Sequence, residues 1–239
     1  NCYCYCSSPL TMPGMKRDMG GSAGILHGWA AAVRNHKELD GRTKSSFPFN
    51  SPSKEEEKRG VRLVAILCLA ENQVGALATR PDDIHLMFSG RTVEINNTDA
   101  EGRLVLGDGV AHAVKYFNPD VLLNMCTLTG AQGISTGKLH ASIVCNNDEL
   151  EYVAIKAGKK SGDLTHPLIF SPELFNEEFA SKVADMKNSV ADRANAQSSC
   201  AAQFIYSHIA KYEGKWLHVD MAYPVKRGER ATGYGVALL

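Results

Sequence analysis

EINNTDAEGRLVLGDG, residues 94–109, places Asp99, Glu101 and Arg103 at alternate positions directly ahead of an apolar run. Two readings of this stretch compete. In the first, Thr98-Asp99-Ala100-Glu101 is a capping box, with Thr98 as N-cap and Glu101 as its reciprocal partner. Leu104, Val105, Leu106, Val110, Ala111 and Val114 then form the buried face of the following helix. That reading uses neither Asp99 nor Arg103. In the second, the alternation of Val93 and Ile95 with Thr92 and Glu94 is a strand that stays extended through Asp99. Alternate residues of a strand share a face, so Asp99 and Glu101 would converge at its end with Arg103 close by. Strand ends that feed helices are where open α/β sheets hold ligands, and converging carboxylates are hard ligands for a divalent cation.

Working outward, helical and strand-like segments alternate. Met19–Arg34 reads as a helix with Asp18 as N-cap and an apolar face of Ile25, Leu26, Trp29 and Val33. Residues 40–60 are polar, charged and proline-containing, and read as a long surface loop. VRLVAILCLA, 61–70, is a continuous apolar run, as expected of a strand buried on both faces. Residues 71–90 read as connecting sequence. Strand 92–96, helix 103–117 and strand 120–128 follow. A glycine-containing loop at 130–137 then leads to strand 140–145. Helices are expected near 149–159, 173–186 and 197–212, and a last strand at 216–222. Such alternation implies an α/β fold, a mainly parallel mixed sheet flanked by helices.

The 239 residues hold 26 basic and 26 acidic side chains, 44% hydrophobic and 22% charged. A folded core is expected, and zero formal charge argues against bulk binding to nucleic acid or to an anionic membrane. No apolar stretch reaches the length of a membrane span. The seven cysteines, with Cys68, Cys126 and Cys145 inside apolar runs, fit free thiols in a reducing compartment. Cys2, Cys4 and Cys6 lack zinc-finger spacing, and residues 1–14 read as an atypical loop. A chain beginning with Asn1 reads as a fragment, a processed product or an incomplete gene model.

Among eight histidines none forms H-E-x-x-H, and neither G-x-S-x-G nor a Walker A sequence occurs. Carboxylates remain. Asp18, followed by Gly20 and Gly21, is a simple N-cap or a ligand beside closely approaching backbone. Arg103 serves a surface salt bridge or holds an anion or developing oxyanion. Thr127-Leu128-Thr129-Gly130 is a plain turn or a substrate-facing edge.

Asn97-Thr98-Asp99-Ala100-Glu101-Gly102-Arg103-Leu104 resembles the signature octapeptide of the leucyl aminopeptidase family, two-metal cytosol aminopeptidases. Met15–Gly21, Arg80–Asp83, Ser89–Glu94 and Leu128–Ala131 resemble further family blocks in family order. Met12–Asp18 and Val183–Asp192 are most similar to the probable aminopeptidase-like 1 branch. The resemblance implies a metal-dependent aminopeptidase domain over 15–239, with an insertion at 41–59. It implies metal ligands Asp18, Asp99 and Glu101 for zinc or manganese, and a catalytic Arg103 that holds bicarbonate. Thr127, Leu128 and Gly130 would line a peptide site in a cytoplasmic homo-oligomer, a hexamer. Ser7 stands where the family has its catalytic lysine. A metal-binding lysine and a bridging aspartate are missing as well, the latter falling before Asn1. The resemblance therefore also implies amino-terminal truncation, with an inactive relative acting by assembly or partner binding as the alternative.

Overall fold

The computed structural model describes residues 13–41, 61–71 and 75–239. Most of the 1–14 segment, including Ser7, and almost all of the expected 41–59 insertion lie outside the described residues.

A 3-10 turn at Met15–Met19 leads into α1 (Gly20–Gly41). β1 (Ile84–Leu86) and β2 (Thr92–Glu94) precede α2 (Gly102–Phe117) and β3 (Val121–Cys126). Next come α3 (Ala131–Ser135), β4 (Ala141–Cys145), α4 (Asp148–Ser161) and β5 (Thr165–Pro167). Then α5 (Pro172–Phe175), β6 (Met186–Lys187), α6 (Gln197–Ser207) and β7 (Lys215–Asp220) follow, before a hairpin of β8 (Lys226–Arg227) and β9 (Arg230–Ala231).

The central sheet runs β3-β7-β4-β5. β3 and β7 are parallel, β7 and β4 antiparallel, and β4 and β5 parallel. A smaller sheet, β1-β2-β6, pairs β2 in parallel with β6. This is the mixed α/β architecture expected. β7 shows why the sheet is central. Trp216 faces the core built with Val110, Phe204 and Ile205 of α2 and α6. Leu217 and Val219 face the opposite core, with Met125 and, from α1 and α4, Ile25 and Ala154. Alternate side chains of one strand thus fill both layers.

Several expectations are corrected. α2 begins at Gly102, so Glu101 rather than Thr98 occupies the N-cap position, in helical conformation with no side-chain cap. Its apolar face does form: Val110 and Ala111 are buried, and Leu104, Leu106 and Val114 pack on them. Extension does not persist to Asp99. The chain turns after Ile95, with Ala100 N donating to Asn97 O at 3.2 Å and Asp99 N to Asn97 Oδ1 at 3.0 Å. Asp18 lies inside the 3-10 turn and is not the N-cap of α1.

The face that α1 buries takes in only part of the apolar stripe, with Ile25 packed on the core. Leu26 and Trp29 are exposed, whereas Gly21, Gly24 and Gly28 are buried. A Cβ at Gly21 would stand 2.4 Å from Met125 O and 2.8 Å from Cys126 Cα. Backbone-to-backbone approach, rather than side-chain packing, seats α1 on β3.

Residues 61–70 form no strand. Val61, Leu63, Val64 and Leu69 are exposed, and the segment runs irregularly between α1 and α2. Trp29 Nε1 donates to Leu63 O at 3.2 Å, and Arg62 sits over the Phe117 ring. An apolar run alone does not specify pairing, and this one is held by isolated contacts. The helix expected at 173–186 shrinks to α5 and a 3-10 turn at Asn176–Phe179. Beyond it Asp185 Oδ2 accepts from Thr92 N and Oγ1, both at 2.8 Å. This docking of β6 on β2 overrides the helical pattern. The 130–137 loop contains α3, and the 197–212 helix ends at Ser207.

A polar ladder crosses the core. Trp216 Nε1 donates to Asn124 Oδ1 at 2.9 Å, and Asn124 Nδ2 lies 2.7 Å from His218 Nδ1. Burial, helped by the Arg103 charge, pulls His218 down to about 3. Burial, with Arg91 nearby, pulls His208 down to about 4. Burial pushes Asp220 up to about 6, against the hydrogen bonds it accepts.

Two measurements follow. Gly21→Ala should destabilise the fold by about 1–3 kcal/mol, because backbone and not a flexible side chain occupies the space. An Ala23→Glu control at an exposed position of the same helix should stay within about 0.5 kcal/mol in urea melts. The second concerns pH. His208 and His218 are neutral when folded and protonated when unfolded below about 6.5, so their stabilisation is lost as pH falls. Asp220 acts oppositely: its contribution is present at low pH and lost as pH rises through about 6. At pH 5 two protons are taken up on unfolding and one released, so the urea midpoint should fall from pH 7 to 4.5. His208→Gln should flatten that slope. A midpoint that rises on acidification contradicts the assignment.

Candidate functional site

The turn carrying Asp99 and Glu101 is fastened by one buried side chain. Asn188 follows β6 and is fully buried. Its Oδ1 accepts from Asn96 N at 3.0 Å and Asn97 N at 3.2 Å. Its Nδ2 donates to Asn97 O at 2.7 Å and Ala100 O at 3.2 Å. Asn96 returns the contact, donating to Ser189 O at 3.2 Å and accepting from Ser189 N at 3.0 Å. An asparagine offers a donor and an acceptor side by side, which is what a turn with orphaned N–H and C=O groups needs.

A second buried group holds the opposite loop. Asp220, at the end of β7, is 1% exposed. It accepts from Leu128 N at 2.9 Å, Thr129 N at 3.0 Å, Thr129 Oγ1 at 2.7 Å and Ala222 N at 3.2 Å. These bonds fix residues 127–130 at the carboxyl end of β3. They also engage the backbone N–H groups of Leu128 and Thr129, which are therefore not free oxyanion donors.

Between the two clamps lies a cavity of about 980 Å3. Asp18, Asp99, Glu101, Thr127, Leu128 and Gly130 all line it. Six of the seven candidate residues are thus brought together, from three separate stretches of chain. Thr127 Oγ1 donates to Asp18 O at 3.3 Å, tying the turn before α1 to the β3 loop. Burial raises the Asp18 carboxyl; Arg17, whose Nε is 3.7 Å away, lowers it, and Asp99 raises it. The Asp99 charge therefore reaches Asp18.

Arg103 does not line the cavity. It is 3% exposed and its Nη1 donates to Asn188 O at 3.0 Å. Burial pulls the guanidinium down to about 10, against the pull of Glu101 and Asp220, so it remains charged at neutral pH. Its Nε has no hydrogen-bond partner among the described residues. In this arrangement Arg103 is an internal brace between the two clamps, and it offers bicarbonate no open cationic contact.

Metal binding can be weighed from the donors present. Three carboxylates on one cavity are the right chemistry for a hard divalent cation. However, among the described residues no three His, Cys, Asp or Glu side chains stand close enough to share one ion. A bridged pair of cations does not fit this donor set.

Asn188 and Asp220 escaped the site reading of the sequence. Asp220 carried a signal, since a carboxylate inside the apolar run WLHVDMA must be satisfied when buried. Asn188 carried none beyond its place in a family-like block. Cys126, also on the cavity wall, is pushed well up by burial and is a poor nucleophile.

Among the described residues no helix is long and apolar enough to cross a membrane. The family model for the catalytic domain of the cytosol aminopeptidase family matches residues 51–239. The chain is 57% identical over 230 residues to the Probable aminopeptidase NPEPL1 of Homo sapiens, covering 96% of this chain and 40% of that protein. It is 45% identical over 229 residues to Leucine aminopeptidase 1 of Caenorhabditis elegans, covering 95% of this chain and 42% of that one. The apo structure of leucyl aminopeptidase from Trypanosoma cruzi superposes with a TM-score of 0.83 at 48% identity, over 97% of this chain and 42% of that chain. This chain thus spans about 40% of the length of the relatives it matches. Fold, cavity and likeness agree: the chain belongs to the cytosol aminopeptidase family, hydrolases that are in general metal-dependent.

Proposed function

We propose that this chain supplies the substrate cavity of a metal-dependent aminopeptidase that releases amino-terminal residues from peptides. One observation carries the reading: Asp18, Asp99 and Glu101 line a single cavity with Thr127, Leu128 and Gly130. A peptide's free ammonium is attracted to a carboxylate-lined wall, and the chain beyond it lies along the 127–130 loop. In this reading residues 15–239 are the catalytic domain and 41–59 an insertion. Asp18, Asp99 and Glu101 face zinc or manganese, and Arg103 acts from behind Glu101. The reading also takes in a cytoplasmic homo-oligomer, a hexamer, as the family resemblance of the octapeptide implies.

A second reading has its own observation. The described residues bring no three metal ligands together, which favours a catalytically impaired relative that acts by assembly or partner binding. The purified chain, shown to be folded, decides between them. Leucine amide hydrolysis is measured with added manganese or zinc, beside Glu101→Gln. The aminopeptidase reading expects metal-dependent turnover that falls at least about a hundredfold in the variant. A folded chain without turnover overturns it for this chain and leaves the second reading.

A further inference from the structure

The cavity is lined by cations as well as carboxylates. Arg17, Lys138, Lys226 and Arg227 also line it, from three segments far apart in sequence. Lys138, Lys226 and Arg227 are exposed, and no carboxylate among the described residues lies within ion-pair distance of them. Arg17 is already engaged by Asp18 at 3.7 Å. Glu229, at the hairpin turn, is the acid on this side. In a chain of zero formal charge, three cations on one cavity rim with no ion-pair partner among the described residues are a local excess.

These cations stand on fixed supports. The β8–β9 hairpin pairs Lys226 with Ala231 and Arg227 with Arg230, and its two-residue turn starts at Gly228 with φ +57°. Its root is pinned at both strands. Val225 packs so closely on Gly20 that a Cβ there would stand 2.1 Å from Val225 Cγ2, and Thr232 N donates to Val225 O at 3.0 Å. Lys138 is held from beneath by Gln132, which is fully buried. Gln132 Nε2 reaches Gly137 O at 3.1 Å and His140 O at 2.8 Å, bracketing Lys138. Its Oε1 accepts from Tyr223 N at 2.9 Å, three residues before Lys226. One buried amide thus fixes both cation-bearing segments relative to each other.

We infer that this rim selects peptides bearing a carboxylate within one or two residues of the amino terminus. The carboxylate is either an acidic side chain or the carboxyl terminus of a dipeptide. The inference rests on the aminopeptidase reading, with the ammonium at the carboxylate wall and the anion at the rim. A cavity of this size is large enough to enclose a short peptide.

Calorimetric binding to the purified chain at low ionic strength tests it with four probes. Leu-Glu-amide and Leu-Gln with a free carboxyl terminus should each bind about fivefold or more tightly than Leu-Gln-amide. Tight binding by only one of the first two identifies which carboxylate the rim takes. Lys226→Glu with Arg227→Glu, both exposed, should abolish or reverse the preference, and Lys138→Glu should weaken it. Equal affinity for Leu-Gln-amide and both acids, or a preference that survives all three reversals, overturns the inference. N-acetyl-Leu-Glu-amide separates it from the functional reading. If acetylation costs nothing while the acid preference holds, amine capture fails and the rim stands. If acetylation abolishes binding with no acid preference, the rim fails and amine capture stands. No binding of any probe to the folded chain overturns both.

Discussion

The site depends on the backbone groups that the buried Asn188 side chain satisfies. The turn after Ile95 is half-buried, with Asn96 and Asp99 exposed and Ala100 buried, and the N–H and C=O groups it turns inward have no sheet or helix to pair with. Asn188 supplies both halves of the missing partnership, four bonds from one amide. Each such bond contributes about 1 kcal/mol net, but leaving the groups unmet costs about 1–3 kcal/mol apiece. The positions of Asp99 and Glu101 follow from this turn. So does the start of α2 at Gly102, and with it the burial of Arg103 against Asn188 O.

Asp220 does for the β3 loop what Asn188 does for the octapeptide turn. Here the cost is higher, because a carboxylate is withdrawn from water, and its upward shift to about 6 records that cost. Arg103 lies between the two clamps and feels both Glu101 and Asp220. The cavity is therefore bounded by two loops whose geometry is set from behind by buried polar groups. That arrangement gives a rigid wall with charged groups in front, where ligand selectivity resides.

The layer structure was legible from the sequence because periodicity reports burial. α2 showed its apolar stripe, and β7 its run filling both cores. The candidate residues were legible through one dense motif and its family likeness, and six of the seven share one cavity. What failed did so for identifiable reasons. The stretch 61–70 has the composition of a central strand, yet composition does not supply a pairing partner. Residues 173–186 carry a helical pattern, and the pairing of Asp185 with Thr92 that overrides it is a tertiary event. The seat of α1 was misread because glycines leave no hydrophobic signal, although Gly21 meets β3 backbone directly. Asn188 and Asp220 act through backbone atoms far away in sequence, so no local pattern names their partners, although a carboxylate inside an apolar run marks Asp220 as a group that must be satisfied.

The account makes the cavity the product of two independent clamps. Backbone hydrogen exchange on the wild type and on Asn188→Ala tests this most directly. The amides of Asn96, Asn97, Leu128 and Thr129 should all be protected in the wild type. In the variant, Asn96 and Asn97 should exchange at least about tenfold faster, while Leu128 and Thr129 keep their protection through Asp220. Unchanged exchange at Asn96 and Asn97, or equal loss at all four, would contradict it.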